Sequence, residues 1–296
     1  MRVAVTLLLL GTGLLAACGR SDRPVASTVA VVAAESPWGA IATAIGGRDV
    51  TVTSLLEAPG ADPHEYQPTA AAAAAVAKAA VVIENGLGYD SFMERILAQG
   101  STGPRRVITA AEVLKVANPN ANPHLWYAID RVPKVAVAIE SALASADPRH
   151  AADFRRNLRV FLRSLDGPRT QLASIRIDHP GASVLVTERL ADYLLAEAGL
   201  TVTSPPSFAR SVESGESPSA AATAEMRRLL GSGSTDALIL NAQVQTPSVR
   251  AVCELARTSG VPVVRMTETI QPPGVTYVAW QQRQIASLAE ALGTSR

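Results

Sequence analysis

The sequence predicts an α/β protein of two similar lobes, each a parallel sheet flanked by helices, joined by a long linker helix. Three observations carry this expectation. Short apolar runs alternate with helical patterns over residues 28–146 and again over 179–296, and buried runs that alternate with helices argue for parallel sheets covered on both faces. Between them, from Arg131 to Ile177, the strand signal disappears and apolar residues recur at helical spacing. The chain of 296 residues is long for one domain and comfortable for two.

The elements follow in order. Thr28–Ala34 reads as a buried strand, Pro37–Ile45 as a helix stopped by Gly46-Gly47, and Val50–Leu56 as a second strand. Thr69–Lys78, nearly all alanine, is a helix with Thr69 as N-cap after Pro68. Ala79–Glu84 is a strand, Ser91–Ala98 a helix and Arg106–Thr109 a short strand. Val132–Ala144 and Pro148–Ile177 are helical, the second with Phe154, Leu158, Phe161, Leu162 and Leu165 on one face. Gly167-Pro168 is expected to kink or break it, because proline removes a backbone donor. In the second lobe, Ser183–Thr187, Leu200–Thr203, Ala237–Leu240 and Val261–Met266 read as strands. Leu190–Ala198, Ser219–Leu230, Val249–Thr258 and Ala279–Leu292 read as the helices between and after them.

The N-terminus reads as processed rather than folded. Arg2 precedes an apolar run from Val3 to Ala17, which has the length of a signal h-region and is short for a membrane span. Leu15-Ala16-Ala17-Cys18-Gly19 resembles a bacterial lipobox, which implies cleavage before Cys18 and lipid on that residue. The expected organisation is a lipoprotein signal peptide ending in lipidated Cys18 (1–18), a tether (19–27), an N-terminal lobe (28–146), a linker helix (147–178) and a C-terminal lobe (179–296). With Cys18 so assigned, Cys253 is the remaining cysteine, so no intramolecular disulfide framework is expected. Cys253 sits in a helical pattern and reads as a small buried apolar residue. A net charge of +1 gives no basic stripe for nucleic acid.

Four histidines occur. His64 lies in Asp62-Pro63-His64-Glu65 after a strand, and His124 in Asn122-Pro123-His124-Leu125-Trp126 in a second loop. A preceding proline holds the residue before it extended and stiffens the loop, which suits a preorganised ligand. Glu188 directly follows the strand ending at Thr187. All three fall where ligands bind in open α/β sheets, beyond the carboxyl ends of strands. Two imidazoles and a carboxylate suit zinc and tolerate manganese or iron. His150 reads as a solvated first-turn residue of the linker helix and His179 as a loop residue. Trp126 reads either as packing behind His124 or as ordinary core. Gly86 and Gly88 lack the third glycine of a dinucleotide fingerprint.

The segments 62–69, Glu84-Asn85-Gly86-Leu87-Gly88-Tyr89-Asp90, Asn122-Pro123-His124-Leu125-Trp126-Tyr127 and Thr187-Glu188-Arg189-Leu190-Ala191-Asp192-Tyr193-Leu194 resemble signatures of the zinc and manganese receptors of ABC importers. Pro272-Pro273-Gly274-Val275-Thr276-Tyr277 resembles their last loop. The resemblance implies an extracytoplasmic, lipid-anchored receptor and no enzymatic activity. His64 and His124 would be first-lobe ligands and Glu188 a second-lobe ligand, on lobes that move little about a rigid linker helix. It implies delivery to a membrane permease powered by an ATPase, and a monomer is expected. The sequence departs from the family's pattern at Val275, where many members place an aspartate ligand. The fourth position is then water or an oxygen of Glu268, Asn241 or Glu65. Losing an anionic ligand at Val275 tilts the expectation from manganese to zinc. The competing readings are a zinc-dependent hydrolase, for which Glu65 is the candidate base, and a receptor for a chelated metal or other small solute. The hydrolase lacks an HExxH helix, and the other receptor class would want an aromatic-lined cleft that a chain with 4% aromatic residues supplies poorly.

Overall fold

The computed structural model describes residues 28–58, 66–99 and 104–294. The first lobe begins with β1 (Val29–Glu35), α1 (Ser36–Gly46) and β2 (Val50–Leu56), continues through α2 (Ala70–Lys78), β3 (Val81–Glu84) and α3 (Ser91–Gln99), and ends in β4 (Arg106–Thr109) and α4 (Ala110–Val113). Helix α5 (Val132–Ala146) leads into α6 (Ala151–Ser164) and α7 (Asp166–Asp178). The second lobe comprises β5 (Ser183–Val186), α8 (Asp192–Glu197), β6 (Thr201–Val202), α9 (Pro206–Glu213), α10 (Ala220–Gly231), β7 (Ala237–Asn241), α11 (Pro247–Thr258), β8 (Val263–Met266) and α12 (Tyr277–Thr294).

Both sheets are parallel throughout and share one topology, β2-β1-β3-β4 and β6-β5-β7-β8. Strand order reverses between β1 and β3 and between β5 and β7, and the carboxyl ends there form the crevices in which such sheets bind ligands. The alternation of side chains along each strand separates two core layers. Val31, Val81 and Ile83 face a core shared with Trp38, Trp126, Phe154, Leu172, Val186 and Trp280, which runs from the first lobe through the connecting helices into the second. Val32 and Val82 face the opposite layer with Val76 and Phe92, and Leu185 and Leu238 face a third with Phe208, Met226 and Val252.

Local chemistry accounts for three of the helix starts. Thr69 Oγ1 accepts from the Ala72 amide at 3.1 Å, as expected of an N-cap, and Ser219 and Thr246 cap α10 and α11 in the same way. The linker is interrupted where Gly167-Pro168 was expected to kink or break it: it runs as two helices meeting at Leu165. Pro168 lies in the first turn of α7, where its missing amide would otherwise have bonded back to Ser164, so the interruption falls one turn before the proline. Helix α9 was not foreseen; its eight residues give too few apolar repeats to stand out, although Pro205-Pro206 followed by Phe208, Ala209 and Val212 marks it. Cys253 is half-buried on α11 rather than buried. No helix among the described residues is long and apolar enough to cross a membrane. Cys18 and the expected signal peptide and tether lie outside the described residues.

Candidate metal site

His124 enters a short 3-10 turn, Leu125–Tyr127, that follows the first sheet. Asn122 fixes it twice: Asn122 Oδ1 accepts the His124 backbone amide at 3.0 Å and lies 2.8 Å from Nδ1. Nδ1 therefore carries the proton, and the Nε2 lone pair is directed away, toward Glu268 Oε2 at 3.9 Å. The imidazole is buried, with Trp126 and Tyr89 edge-on to it at centroid distances of 5.6 Å each. Trp126 thus packs behind His124 and is also core, in T-shaped contact with Trp38.

Glu188 lies two residues beyond β5 and Glu268 two beyond β8, and both are buried. One ligand atom from each of His124, Glu188 and Glu268 lies within 4.8 Å of the others. Ligand atoms on a tetrahedral zinc with bonds of about 2.0–2.1 Å stand about 3.4 Å apart, so the group is near coordination spacing. Glu188 Oε1 accepts from Asn241 Nδ2, while Glu188 Oε2 is buried with no hydrogen-bond partner among the described residues. A buried carboxylate oxygen left without a donor is costly in an apolar interior, and a cation between the three side chains would satisfy it. Burial, and then the Glu268 charge, holds the Glu188 carboxyl well above the usual range.

Glu268 is held from several sides. Its backbone amide donates to Gln243 Oε1 at 2.7 Å, Oε1 accepts from Asn241 Nδ2 at 2.5 Å, and Oε2 accepts from the Tyr89 hydroxyl. Burial and the Glu268 charge push the Tyr89 phenol far above its ordinary value, so it stays a donor. Tyr89 is aimed by the turn that the sequence dismissed as a dinucleotide fingerprint. Gly86, Leu87 and Gly88 all have left-handed φ (82°, 59° and 76°). Asp90 closes the turn by accepting the Gly86 amide at 2.9 Å and the Asn85 amide at 2.5 Å. Asn85 Nδ2 in turn donates to the Pro123 carbonyl at 2.7 Å, next to His124.

The lobes are tied at the site. Asn122 Nδ2 donates to the Arg189 carbonyl at 2.5 Å and the Tyr193 hydroxyl to the Asn122 carbonyl at 2.9 Å, while within the second lobe Arg189 forms a two-pronged pair with Glu213 at 2.6 and 2.8 Å.

Of the sequence-predicted residues, His124 and Glu188 come together, and Glu268, one of three candidates for the fourth corner, joins them. His64 and Glu65 lie outside the described residues. Asn241 is placed as a donor: Oδ1 accepts the Gln243 amide at 2.9 Å and Nδ2 faces both carboxylates. Val275 packs against the core with Ile270 and Ala40 nearby, lining a cavity away from the three donors. His150 is not simply solvated; it is partly buried, with Nδ1 2.9 Å from Asp147 Oδ2. Tyr89, Asn122 and Gln243 escaped sequence reasoning, because their roles depend on partners up to 179 residues away.

The sequence model of the family described as "Zinc-uptake complex component A periplasmic" (ZnuA) matches residues 31–291. The iron-binding protein YfeA of Yersinia pestis is 28% identical over 167 residues, 54% of this chain and 53% of that protein. The manganese-binding lipoprotein MntA of Bacillus subtilis is 28% identical over 165 residues, 53% of this chain and 54% of that protein. These matches span about half the length of the curated relatives. The structure of the periplasmic zinc-binding protein TroA from Treponema pallidum superposes with a TM-score of 0.77, covering 90% of this chain and 99% of that chain at 19% identity, a likeness of fold. With the family match running over most of its length, the chain belongs to the ZnuA family of periplasmic zinc-uptake components.

Proposed function

We propose that the protein captures a divalent transition metal outside the cytoplasm and hands it to an ABC importer permease and its ATPase, without catalysing a reaction. The observation that carries this reading is the buried group of His124, Glu188 and Glu268, with ligand atoms within 4.8 Å of one another. His64 completes the set on the strength of the family resemblance, giving two neutral imidazoles and two carboxylates. Their net charge of about −2 matches a divalent cation, so the filled site is neutral, which is what burial favours. In this reading Glu268, from the end of β8, supplies the acid that Val275 lacks. The protein is anchored by lipid on Cys18 and consists of the two lobes 28–146 and 179–296 with the connector 147–178.

The metal is zinc in the first reading. Glu268 removes the premise on which zinc was preferred from sequence, because it restores the second carboxylate. That second carboxylate favours manganese as the other reading, since oxygen-rich sites suit that ion. Zinc then rests on how many oxygens each carboxylate presents. A hydrolase would need a water and a base at an open position, whereas these donors are buried among aromatic rings.

Metal content of the native protein by mass spectrometry tests the reading. One equivalent of metal, lost in His124→Ala and Glu188→Ala, is expected. A folded protein that holds none and takes up none on titration would overturn it. Zinc should raise the melting temperature at concentrations where manganese has little effect; equal or larger stabilisation by manganese would decide for the second reading.

A further inference from the structure

Asn241 ends β7, which pairs with β5 through Val186↔Ile239 and with β8 through Asn241↔Met266. It therefore stands between the two strands whose ends carry Glu188 and Glu268. Its side-chain amide is fully used. Oδ1 accepts the Gln243 amide at 2.9 Å, and Nδ2 directs one hydrogen to Glu188 Oε1 and the other to Glu268 Oε1, the latter at 2.5 Å. The reverse orientation would set the amide oxygen against two carboxylate oxygens and the NH2 against an N–H, so the network admits one orientation only.

One oxygen of each carboxylate is thereby turned to the amide. Glu188 Oε2 is left buried and without a hydrogen-bond partner among the described residues. Glu268 Oε2 accepts from Tyr89 with one lone pair and faces His124 Nε2 with the rest. The clamp is neutral, so it fixes the two anions without supplying the charge that a cation would compete with.

We propose that Asn241 is the positioning residue that sets metal choice: by holding both carboxylates to one oxygen each, it keeps the coordination number near four and favours zinc over ions that take more oxygens. Tetrahedral sites with four protein ligands suit zinc, whereas manganese takes higher-coordinate, oxygen-rich shells. Groups that orient ligands typically change metal affinity by about 10–100-fold when removed. This inference rests on the ligand set proposed above.

The test uses the whole protein and the metals alone. Zinc and manganese dissociation constants are measured by competition for the wild type, Asn241→Ala and Asn241→Asp, with X-ray absorption at the zinc edge for the coordination shell. The expected result is a four-ligand shell in the wild type that gains oxygen in both variants, with the zinc-over-manganese ratio falling at least about tenfold. Asn241→Asp keeps the side-chain shape and carries the test if the alanine variant does not fold. If both affinities fall in parallel, with the ratio and the shell unchanged, Asn241 is merely structural and the inference is overturned. Glu188→Ala separates the two levels. Undiminished metal binding there sinks the ligand set itself, while lost binding there together with an unchanged ratio at Asn241 sinks only the present inference.

Discussion

Replacing Glu268 by glutamine should make the metal-free protein more stable and the metal-binding protein worse. Glu188 and Glu268 present ligand atoms no more than 4.8 Å apart in a buried setting, and at an effective dielectric of about 20 two full charges at that distance repel by about 3.5 kcal/mol. Part of that repulsion is already relieved by the raised Glu188 carboxyl, which takes up a proton more readily than usual. A net gain of about 1–3 kcal/mol is therefore expected, or about 2–10 °C in melting temperature for a protein of this size. Glutamine preserves the packing: its carbonyl can accept from Asn241 and its NH2 can donate to the Tyr89 oxygen. The assay is thermal unfolding of chelator-treated Glu268→Gln and wild type at pH 8, repeated with zinc. The variant should melt higher without metal and show a much smaller zinc-induced rise. An unchanged or lower melting temperature without metal, with an undiminished response to zinc, would refute the placement of Glu268 beside the other donors.

Other consequences are open to measurement. Asn122→Ala removes the acceptor that fixes the His124 tautomer and should weaken metal binding about 10–100-fold with little change in fold; a shift below twofold on isothermal titration would argue against that role. Glu84 is buried at the end of β3, and burial raises its carboxyl to about 7, although Thr109 Oγ1 donates to it at 2.7 Å. Because the folded protein holds this proton more tightly than the unfolded chain, its contribution to stability is complete below pH 4.5 and is lost as pH rises through about 7. The slope in that window is at most about 1.4 kcal/mol per pH unit, reduced by whatever solvent screens the group. Glu84→Gln should flatten it in urea titrations run across pH, and an unaltered slope would assign the dependence elsewhere. Trp126→Ala empties a fully buried site between His124, Trp38 and Tyr89 and should cost about 3–5 kcal/mol in urea unfolding; a loss under about 1 kcal/mol would be too small for a wall of the core.

Most of the scaffold is legible in the sequence because its signals are local. The runs that become β1 and β3 are apolar enough to be buried on both faces, those that become the edge strands β2 and β4 are rich in β-branched residues, and Thr69 caps α2 where its hydroxyl precedes an alanine tract. The linker is legible too: helical spacing continues across Leu165, and Gly167-Pro168 marks the break, which falls about one turn earlier because the missing amide at Pro168 would have bonded back to Ser164. At the site, His124 and Glu188 stand out because each follows a recognisable strand or proline-stiffened loop. Glu268 is harder, since nothing near it in sequence separates a buried ligand from a surface acid; only Asn241, Gln243 and Tyr89, brought in by sheet pairing and by the turn at Asp90, turn it inward. Asn241 was expected to offer an oxygen, and chain order cannot reveal that the Gln243 amide occupies that oxygen.

The last helix, α12, reaches back across the molecule. The Tyr277 hydroxyl and the Gln281 amide both donate to the Trp126 carbonyl, at 2.6 and 3.1 Å, and Gln284 Oε1 accepts from the Tyr127 hydroxyl at 2.8 Å and the Thr267 amide at 2.9 Å. The turn after His124 and the segment before Glu268 are thus braced by side chains that come off the ribosome after both. Ser36 closes a similar long loop by accepting the Ile270 amide at 2.9 Å, 234 residues on. Contacts of such separation form late, since the chain between them must be ordered first. A partly synthesised or partly exported chain therefore carries the ligands without the frame that converges them. If the protein captures metal as proposed, tight capture would begin only when the whole polypeptide has folded.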